Sequence, residues 1–402
     1  MKILQINASI NSGSTGRIAE DIGSVLIDNG HESYIAFGRN DRESKSIKIK
    51  IGNRLNVIIH YFESLLFDRH GFSSRIATYF FLRKIDKINP DAIGLHNIHG
   101  YYINIEMLFN YIKKKNIPVV WTLFDCWAFT GHCSYFDNIN CQKWTVQCEK
   151  CPKRNLYPKS LFIDNSKNNY IHKRNVFNGV KNLQIIVHSE WLNNITKKSF
   201  ISSYSTKLIN SGVDLNLFKP TTSDLKTSMN LKNKRIVLGC ASIWDVRKGL
   251  NDFIKLAKLL DENYQIVLVG LNTDQIKLIG NIIIGIGRTE NIHKLAELYS
   301  IADVFVNPTY LDNFPTTNLE ALACGTPVVT YNTGGSPEAI DNETGVVVQQ
   351  GNILELMNAI ESLIQKDKQD LSIKCRTRAE RFFDKQIKFK EYMAVFNEIA
   401  KK

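Results

Sequence analysis

Short apolar runs alternate with amphipathic helical patterns along most of the chain. Residues 1–8 form an apolar run, residues 9–16 are polar with two glycines, and apolar residues then recur at spacings of three and four from Ile18 to Leu26. This order predicts a strand, a loop and a helix. Further strands are predicted at 91–96, 119–122 and 183–188, and further helices at 104–115 and 190–198. Strands that alternate with helices favour a parallel sheet covered on both faces.

A second alternating series begins after the polar stretch at residues 221–234. Its predicted strands are 236–241, 265–269, 281–286, 304–307, 328–331 and 346–348, and its predicted helices are 292–300, 318–323, 353–364, 371–383 and 389–401. We therefore predict an α/β protein with two Rossmann-like, doubly wound domains, residues 1–215 and 216–385. The helix at 386–402 ends the chain and could cross back to the first domain.

The bulk composition agrees with two globular domains. The chain has 402 residues, of which 44% are hydrophobic and 22% charged, which is too long for one ordinary core and too apolar for disorder. No apolar run reaches the roughly 18 to 20 residues that span a bilayer. Met1 and Lys2 lead straight into an apolar strand, without the pattern of a secretory signal. We expect a soluble, cytoplasmic protein.

The positive charge is concentrated in the first half of the chain. Residues 1–215 contain 28 Lys and Arg against 17 Asp and Glu, a net +11, whereas residues 216–402 contain 23 against 22. An excess of this kind suggests an anionic partner, either a nucleic acid, a phospholipid surface or a phosphate-bearing acceptor. The alternative is a lysine-rich face that only contacts water.

The most specific stretch is residues 312–329, in which Asp312 and Glu320 flank a loop that opens a helix. The first N–H groups of a helix have no partner within it, so those of Thr316, Thr317 and Asn318 can cradle a diphosphate. Glu320, one turn into the helix, can accept both hydroxyls of a ribose. The alternative is that these acidic residues only cap a helix.

This stretch resembles the E-x7-E signature of the retaining, family-four glycosyltransferases of GT-B fold, and residues 331–338 follow it as in that family. The resemblance implies two Rossmann-like domains that face a cleft and transfer of a hexosyl unit, with retention, from a UDP- or GDP-linked sugar. It also implies that catalysis needs no metal cofactor. Asp312 stands where the broad family has Glu.

The sequence Asp-Asn-Phe-Pro from Asp312 resembles a subgroup that builds bacterial surface polysaccharides, of colanic acid, lipopolysaccharide or O-antigen type. The expected acceptor is therefore a glycan, carried on a lipid, and the expected location is the cytoplasm or the inner face of the cell membrane.

Three further segments match the family in the donor half and the first loop. Arg247 and Lys248 follow the strand at 236–241, where the family places a basic pair against the donor phosphates. Gly13 and Gly16 resemble the family's glycine-rich loop, since glycines let backbone N–H groups approach a diphosphate closely. Their spacing does not supply the G-x-G-x-x-G fingerprint of a dehydrogenase.

The segment with Gly287 and Arg288 resembles the family's base-binding segment, although a plain turn at a strand end is the alternative.

Polar residues also end two predicted strands of the first domain. His96 and His99 follow one strand, at the position where open α/β sheets place ligands, so either could orient the acceptor or the sugar. Ordinary loop histidines are the alternative. Asp125 lies in a segment where the family has a His before the Asp, but Phe124 stands there. The sugar is then held by Asp125 and its neighbours, or the donor stacks on an aromatic ring.

Five of the eight cysteines lie between Cys126 and Cys151. This clustering is unlike the framework of a disulfide-rich secreted domain and favours a reducing compartment. Cys133, Cys141, Cys148 and Cys151 end in a C-x2-C pair, which suits one tetrahedral structural zinc in an insertion at 126–158. Free thiols or a redox-active pair are the alternatives.

Apolar residues between 55 and 80 recur at helical spacing with arginines among them. Such a stretch could dock on an anionic membrane that holds a lipid-linked acceptor. The alternative is an amphipathic helix that packs on its own core.

Two alternatives to glycosyl transfer stay open at this point. One is a nucleotide-sugar epimerase or a sugar-phosphate synthase of the same fold, and another is a non-catalytic nucleotide-sugar binder. Nucleic-acid binding is not expected, because no sheet face with interleaved aromatic and basic residues is evident.

Overall fold

The structure is a computed structural model that describes residues 1–136, 139–289 and 291–401. The cysteine-rich segment and the predicted helix at 386–402 are therefore described without Asp137, Asn138 and Lys402. The chain divides into two compact units, Met1–Ile209 with Phe389–Lys402 and Asn210–Lys388.

The first unit is built on a seven-stranded, fully parallel sheet with helices between the strands. Its strands are β1 (Lys2–Ser9), β2 (Glu32–Arg39), β3 (Ile47–Lys50), β4 (Ala92–Leu95), β5 (Val119–Leu123), β6 (Leu183–Val187) and β7 (Thr206–Leu208). Its helices are α1 (Gly13–Asp28), α2 (Arg54–Phe67), α3 (Arg75–Ile88), α4 (Ile105–Lys115), α5 (Ser166–Phe177) and α6 (Glu190–Thr196). The strand order is β3-β2-β1-β4-β5-β6-β7, so the connections change direction between β1 and β4.

The second unit has a six-stranded parallel sheet of the same kind. Its strands are β8 (Arg235–Cys240), β9 (Tyr264–Leu271), β10 (Ile283–Gly287), β11 (Val304–Asn307), β12 (Val328–Tyr331) and β13 (Gly345–Val348). Its helices are α7 (Leu225–Ser228), α8 (Leu250–Ala257), α9 (Thr273–Ile279), α10 (Ile292–Ile301), α11 (Thr316–Ala323), α12 (Ile353–Ile364) and α13 (Lys368–Phe382). The order β10-β9-β8-β11-β12-β13 changes direction between β8 and β11.

Both sheets confirm the predicted class of two doubly wound α/β domains. Central strands are buried on both faces, as β4 and β5 are along their whole length, because helices cover each side of a parallel sheet. The hydrophobic pattern did not predict β2 and β3. β3 is only four residues long and alternates Ile with Lys at the sheet edge, and so gives too short a signal.

The division between the units lies at residues 209 and 210, where the sequence placed it at 215. Residues just after the division pair with the end of the second unit: the Val213 N–H donates to Phe383 O at 2.8 Å, and the Lys385 N–H donates to Val213 O at 3.1 Å. Asp214 also forms an ion pair with Lys385 at 2.6 Å. These bonds assign the segment to the second unit.

The last helix, α14 (Lys385–Ala400), contributes to the core of the first unit. Its buried aromatic and aliphatic residues join Ile18 and Ile22 of α1 in one hydrophobic cluster. Gly94 in β4 leaves room for this helix, since a Cβ there would lie 3.0 Å from Phe396 Cζ.

None of the helices in the described part of the chain is both long and apolar enough to cross a membrane.

Candidate active site

The carboxyl edge of the second sheet brings together residues that are far apart in sequence. Lys248 follows β8 and Asp312 follows β11, and these are the two strands between which the connections change direction. Open α/β sheets bind ligands at this point, because the loops diverge there and leave a crevice. The topology therefore marks the position of a ligand site in the second unit.

Lys248 and Asp312 form an ion pair at this edge. The Lys248 Nζ lies 2.6 Å from Asp312 Oδ2, with both side chains about one-fifth exposed, 23% and 20%. Arg247 has a different partner, since its guanidinium pairs with Asp245 at 3.0 Å. The Arg247 carbonyl accepts from the Tyr310 N–H at 2.7 Å, which ties the loop after β8 to the loop after β11.

Helix α11 begins at Thr316 in the loop after β11, and Thr316 and Thr317 are partly exposed at its start. Asn318 differs from the sequence-based expectation, because its N–H donates to Pro315 O at 3.2 Å. Its side chain is buried and accepts from Asn307 Nδ2 at 2.8 Å. Asn318 therefore holds the loop in place, and Thr316 and Thr317 are the residues whose N–H groups suit an anion.

Glu320 is held by a buried tyrosine. The Tyr299 hydroxyl donates to Glu320 Oε2 at 2.9 Å, and Tyr299 is fully buried, which raises its pKa well above the usual value. A hydroxyl that stays protonated is a permanent donor, so it fixes the direction of the carboxylate. Tyr299 lies 21 residues before Glu320, and no motif in the sequence marks it for this role.

A glycine after β12 supports the same loop. Gly334 has a φ of +53°, and a Cβ there would lie 1.8 Å from the Asp312 carbonyl oxygen. The neighbouring Gly335 N–H donates to that oxygen at 3.3 Å. The backbone of Asp312 therefore rests directly on the glycine pair.

Gly287 and Arg288 lie at the carboxyl end of β10, the outermost strand of the second sheet. β9 separates this strand from β8, so the pair stands at the rim of the sheet rather than at its centre. Arg288 is exposed, and a Cβ at Gly287 would meet only Leu271 O, at 3.8 Å.

In the first sheet the connections between strands change direction between β1 and β4. The loops that follow these two strands carry the residues that the sequence predicts for a ligand site. Gly13 begins α1 with a φ of +68°, and a Cβ added there would meet no atom within 4 Å, whereas a Cβ at Gly16 would lie 3.1 Å from Ser9 O. Asn7 joins the two loops, because its Oδ1 accepts from the Asn97 N–H at 3.1 Å. The Gly13 loop is thus fixed at its base and open at its tip.

His96 is buried at the end of β4. Its Nε2 lies 2.8 Å from Gln5 Oε1, and burial lowers its pKa to about 3. The imidazole is therefore neutral at physiological pH. Phe124 stands beside it, with ring centroids 6.1 Å apart.

Asp125 is paired with His99 rather than with His96. Its Oδ2 lies 3.0 Å from His99 Nε2, and its Oδ1 accepts from the Trp127 N–H at 2.9 Å. His99 Nδ1 lies 3.0 Å from the Tyr157 hydroxyl. Because a carboxylate only accepts, His99 donates to Asp125 from Nε2. Nothing in the sequence pattern marks Tyr157 for this role.

His96, His99, Asp125 and Trp127 help to line a small, partly open cavity at the carboxyl ends of β4 and β5. His96 Nδ1 and Trp127 Nε1, which are buried there, have no hydrogen-bond partner within the described residues. Buried polar atoms without partners cost free energy, so this cavity is suited to a polar ligand.

The four predicted zinc ligands line one small cavity. The Cys133 thiol hydrogen-bonds with Cys151, which lowers the pKa of Cys151 to about 6. Across residues 1–136, 139–289 and 291–401, no group of three or more His, Cys, Asp or Glu is placed to hold a metal ion. The zinc site therefore stays a prediction from the spacing of Cys133, Cys141, Cys148 and Cys151, and metal analysis of the purified chain would test it.

Residues 223–381 match the family described as "Glycosyl transferases group 1". The chain is 26% identical over 378 residues to the putative colanic acid biosynthesis glycosyl transferase WcaC of Escherichia coli, with 89% of each chain covered. It is 27% identical over 180 residues to the N,N'-diacetylbacillosaminyl-diphospho-undecaprenol alpha-1,3-N-acetylgalactosaminyltransferase of Campylobacter jejuni, covering 43% of this chain and 47% of that one. Anabaena HepE, solved in complex with UDP, superposes with a TM-score of 0.70 at 17% identity, covering 99% and 100% of the two chains.

The two sheets have the GT-B arrangement of the solved neighbours, and residues 223–381 match the group 1 glycosyltransferase domain. The chain is therefore a glycosyltransferase, and the matched residues lie in the second unit.

Proposed function

We propose that the enzyme transfers a hexosyl unit from a nucleotide-diphosphate sugar, UDP- or GDP-linked, to a lipid-linked glycan acceptor with retention at the anomeric carbon. The pathway would be the synthesis of a bacterial surface polysaccharide. The ion pair between Lys248 and Asp312, placed where the second sheet changes direction, is the observation that carries the donor half of this proposal.

The donor would bind through its diphosphate and its ribose. Lys248 and the start of α11 belong to loops that are distant in sequence, and the Lys248 ammonium can exchange Asp312 for a phosphate oxygen. The N–H groups of Thr316 and Thr317 and the positive end of the helix dipole add to the attraction. Glu320, fixed by the Tyr299 hydroxyl, would accept the ribose hydroxyls.

The same groups would promote departure of the nucleoside diphosphate. As the bond between the anomeric carbon and the phosphate oxygen breaks, negative charge grows on the diphosphate, and Lys248 and the helix terminus are fixed in place to stabilise it. This role for protein cations supports catalysis without a metal cofactor. Arg247 would assist from the solvent side, since its side chain is 45% exposed.

The acceptor would be bound by the first unit. Its cavity at the ends of β4 and β5 holds the Asp125–His99 pair, in which the carboxylate orients the imidazole. His96 Nδ1 and Trp127 Nε1, which line the same cavity and have no partner within the described residues, can hydrogen-bond sugar hydroxyls. A lipid carrier is supported by the Campylobacter relative, whose name includes diphospho-undecaprenol, and polysaccharide synthesis by the Escherichia coli relative.

Thermal unfolding with UDP, GDP, dTDP, ADP and CMP tests the donor site first, because a ligand that binds only the folded state raises the unfolding midpoint. We expect one nucleoside diphosphate to raise it, and Glu320→Ala to abolish the shift. Glu262→Ala is the matched control, since Glu262 is exposed at the opposite, amino end of β9 and should leave the shift unchanged.

Absence of a shift with every nucleotide would contradict the donor site as described. With the donor identified, the anomeric configuration of the transferred sugar, read by NMR, tests retention. A free sugar phosphate or an epimerised nucleotide sugar as the product would contradict transfer to a glycan.

A further inference from the structure

The first unit carries an apolar surface that its own core does not use. Of the 29 large apolar side chains exposed among the described residues, ten lie between residues 55 and 80 and five between residues 156 and 163. Surfaces of monomeric proteins rarely expose contiguous apolar patches of this kind without a function. We name this surface the apolar face.

Helix α2 shows the feature most clearly, because its orientation is reversed. It buries only His60 and Ser64, while its exposed residues include Leu55 at 62%, Phe62 at 52% and Phe67 at 50%. Sequence alone left open whether this stretch packs on the core. The structure shows that the two buried residues of the helix are polar, whereas most of its large apolar side chains face solvent.

Polar partners hold α2 in this orientation. His60 Nδ1 lies 2.8 Å from Ser74 Oγ, and His60 Nε2 accepts from the Gly71 N–H at 3.1 Å. Asn53 caps the helix by accepting from the Asn56 N–H at 3.0 Å. Turning the helix over would break the two hydrogen bonds of His60, so the outward direction of the apolar side chains is built into the fold.

Two neighbouring segments extend the face. Helix α3 buries one side and exposes Ile76 at 71% and Phe80 at 59%. The loop at 156–163 is tied to α2, because the Leu161 N–H donates to Leu65 O at 2.8 Å. This loop exposes Phe162 at 73%.

The charges along the apolar face are mainly positive. Six exposed basic residues lie on or beside the two helices: Arg54, Arg69, Arg75, Arg83, Lys84 and Lys87. The acidic residues of the same stretch are mostly neutralised, since Asp68 is buried against His132 at 2.5 Å and Asp86 pairs with Lys115 at 2.7 Å. A solvent-facing apolar surface with basic residues around it matches the surface of an anionic bilayer.

We propose that the apolar face docks the enzyme on an anionic phospholipid membrane. The aromatic and aliphatic side chains of α2, α3 and the loop at 156–163 would enter the interface, and the arginines and lysines would contact lipid phosphates. The inference deepens the proposed function, because a lipid-linked acceptor is found in a membrane. The evidence for the surface itself comes only from the exposure and charge of its residues.

Flotation of the full chain with lipid vesicles tests this. We expect binding to vesicles of phosphatidylethanolamine with phosphatidylglycerol, and at least tenfold weaker binding to phosphatidylcholine vesicles. The variant Ile58→Ser, Phe62→Ser, Phe80→Ser removes three exposed apolar side chains and should weaken binding at least tenfold. The variant Arg75→Glu, Lys84→Glu should weaken it similarly and reduce its dependence on salt.

The matched control is Ile243→Ser, Leu278→Ser, Leu354→Ser, which removes three apolar residues of the second unit that are more exposed and should bind as the wild type does. The proposal is overturned if the wild type does not bind anionic vesicles, or if the first-unit variant binds as well as the control. Self-association of the wild type that this variant abolishes, without vesicle binding, overturns it in favour of a second copy of the chain.

The outcome is separable from that of the proposed function. Nucleoside diphosphate binding, measured on the same preparations, should be equal in the wild type and in the first-unit variant. A chain that binds vesicles but no nucleotide would support docking and contradict the donor site.

Discussion

The two units share a fold but differ in the kind of residues they use. Eight of the nine histidines and five of the eight cysteines belong to the first unit, where most of the histidines are buried. The second unit has one histidine, His293, and relies on Lys248, Asp312 and Glu320 at one sheet edge. The same architecture therefore supports a buried, titratable interior in one unit and a compact, charge-based anion site in the other.

The largest expected effect comes from the charge site of the second unit. Lys248→Ala removes the cation that pairs with Asp312 at 2.6 Å, and we expect kcat/KM to fall about 10²–10³-fold, as for loss of one preorganised charge at a leaving group. Lys255→Ala is the control, because Lys255 is 65% exposed and its ion pair with Asp252 is long, at 3.7 Å. Equal losses in the two variants, measured in a transfer assay, would remove Lys248 from the donor site.

The next largest effect is a difference between the two units in how their stability depends on pH. Burial lowers the pKa of His60 and His96 to about 3 and that of His188 to about 4, and it lowers the pKa of His70 well below 6.5. These groups stay neutral in the folded state while the unfolded chain takes up protons below pH 6.5. Their stabilisation is complete above that pH and is lost as pH falls towards 3, by about 1.4 kcal/mol per pH unit for each histidine.

His132 acts in the opposite direction. Burial opposes its protonation, but the hydrogen bond and charge of Asp68 raise its pKa overall, so its contribution is present at low pH and is lost as pH rises. The contribution of this one histidine does not offset the stability that is lost at low pH through the four histidines whose pKa is lowered. As pH falls from 7 to 5, amide hydrogen exchange should show that the first unit loses protection before the second. Earlier loss of protection in the second unit would refute the expected difference between the units.

A smaller effect is expected where a loop of the second unit rests on glycine. Gly334→Ala would place a Cβ 1.8 Å from Asp312 O at a φ of +53°, and we expect a loss of about 2–4 kcal/mol together with weaker nucleotide binding. Gly280→Ala is matched, since its φ is +60° but no atom lies within 4 Å. It should cost about 1–3 kcal/mol, because φ +60° with ψ −149° is a region that only glycine enters freely, and it should leave nucleotide binding intact. Thermal unfolding with and without nucleotide distinguishes the two variants.

The smallest effect concerns Phe124→His, which restores the residue that the family resemblance implies. The side chain lies 5.0 Å from the His188 ring and 6.1 Å from the His96 ring. Burying a more polar ring there should cost about 1 kcal/mol, and the KM for the donor should change less than tenfold. A tenfold or larger gain in kcat would show that Phe124 limits the wild-type reaction.

The fold was predictable because its signals are local. The runs at 304–307 and 328–331 coincide with β11 and β12, and a buried strand of a parallel sheet is a continuous apolar run that can be recognised without knowing its neighbours. β3 was not predicted, because this four-residue edge strand alternates Ile with Lys and contains no continuous apolar run. The order of the strands, by contrast, depends on crossovers that no local pattern contains.

Individual residues of the donor site could be predicted from the sequence, but the contacts between them could not. Lys248 and Asp312 are 64 positions apart, and their meeting follows from the positions of β8 and β11 in the sheet. The pairing of Asp125 with His99 is likewise a property of the loops after β4 and β5. The outward face of α2 could not be read from its periodicity, because spacing shows that a helix has an apolar side but not which way that side points.

The return of α14 to the first unit has a consequence for how the protein is made. Phe389, Tyr392, Val395, Phe396 and Ile399 complete a hydrophobic cluster whose other buried members lie between Ile3 and Ile209. During synthesis these residues leave the ribosome after the entire second unit, so the first unit stays open along one surface while its neighbour can already fold. The part of the enzyme that is translated first is therefore the part that is finished last.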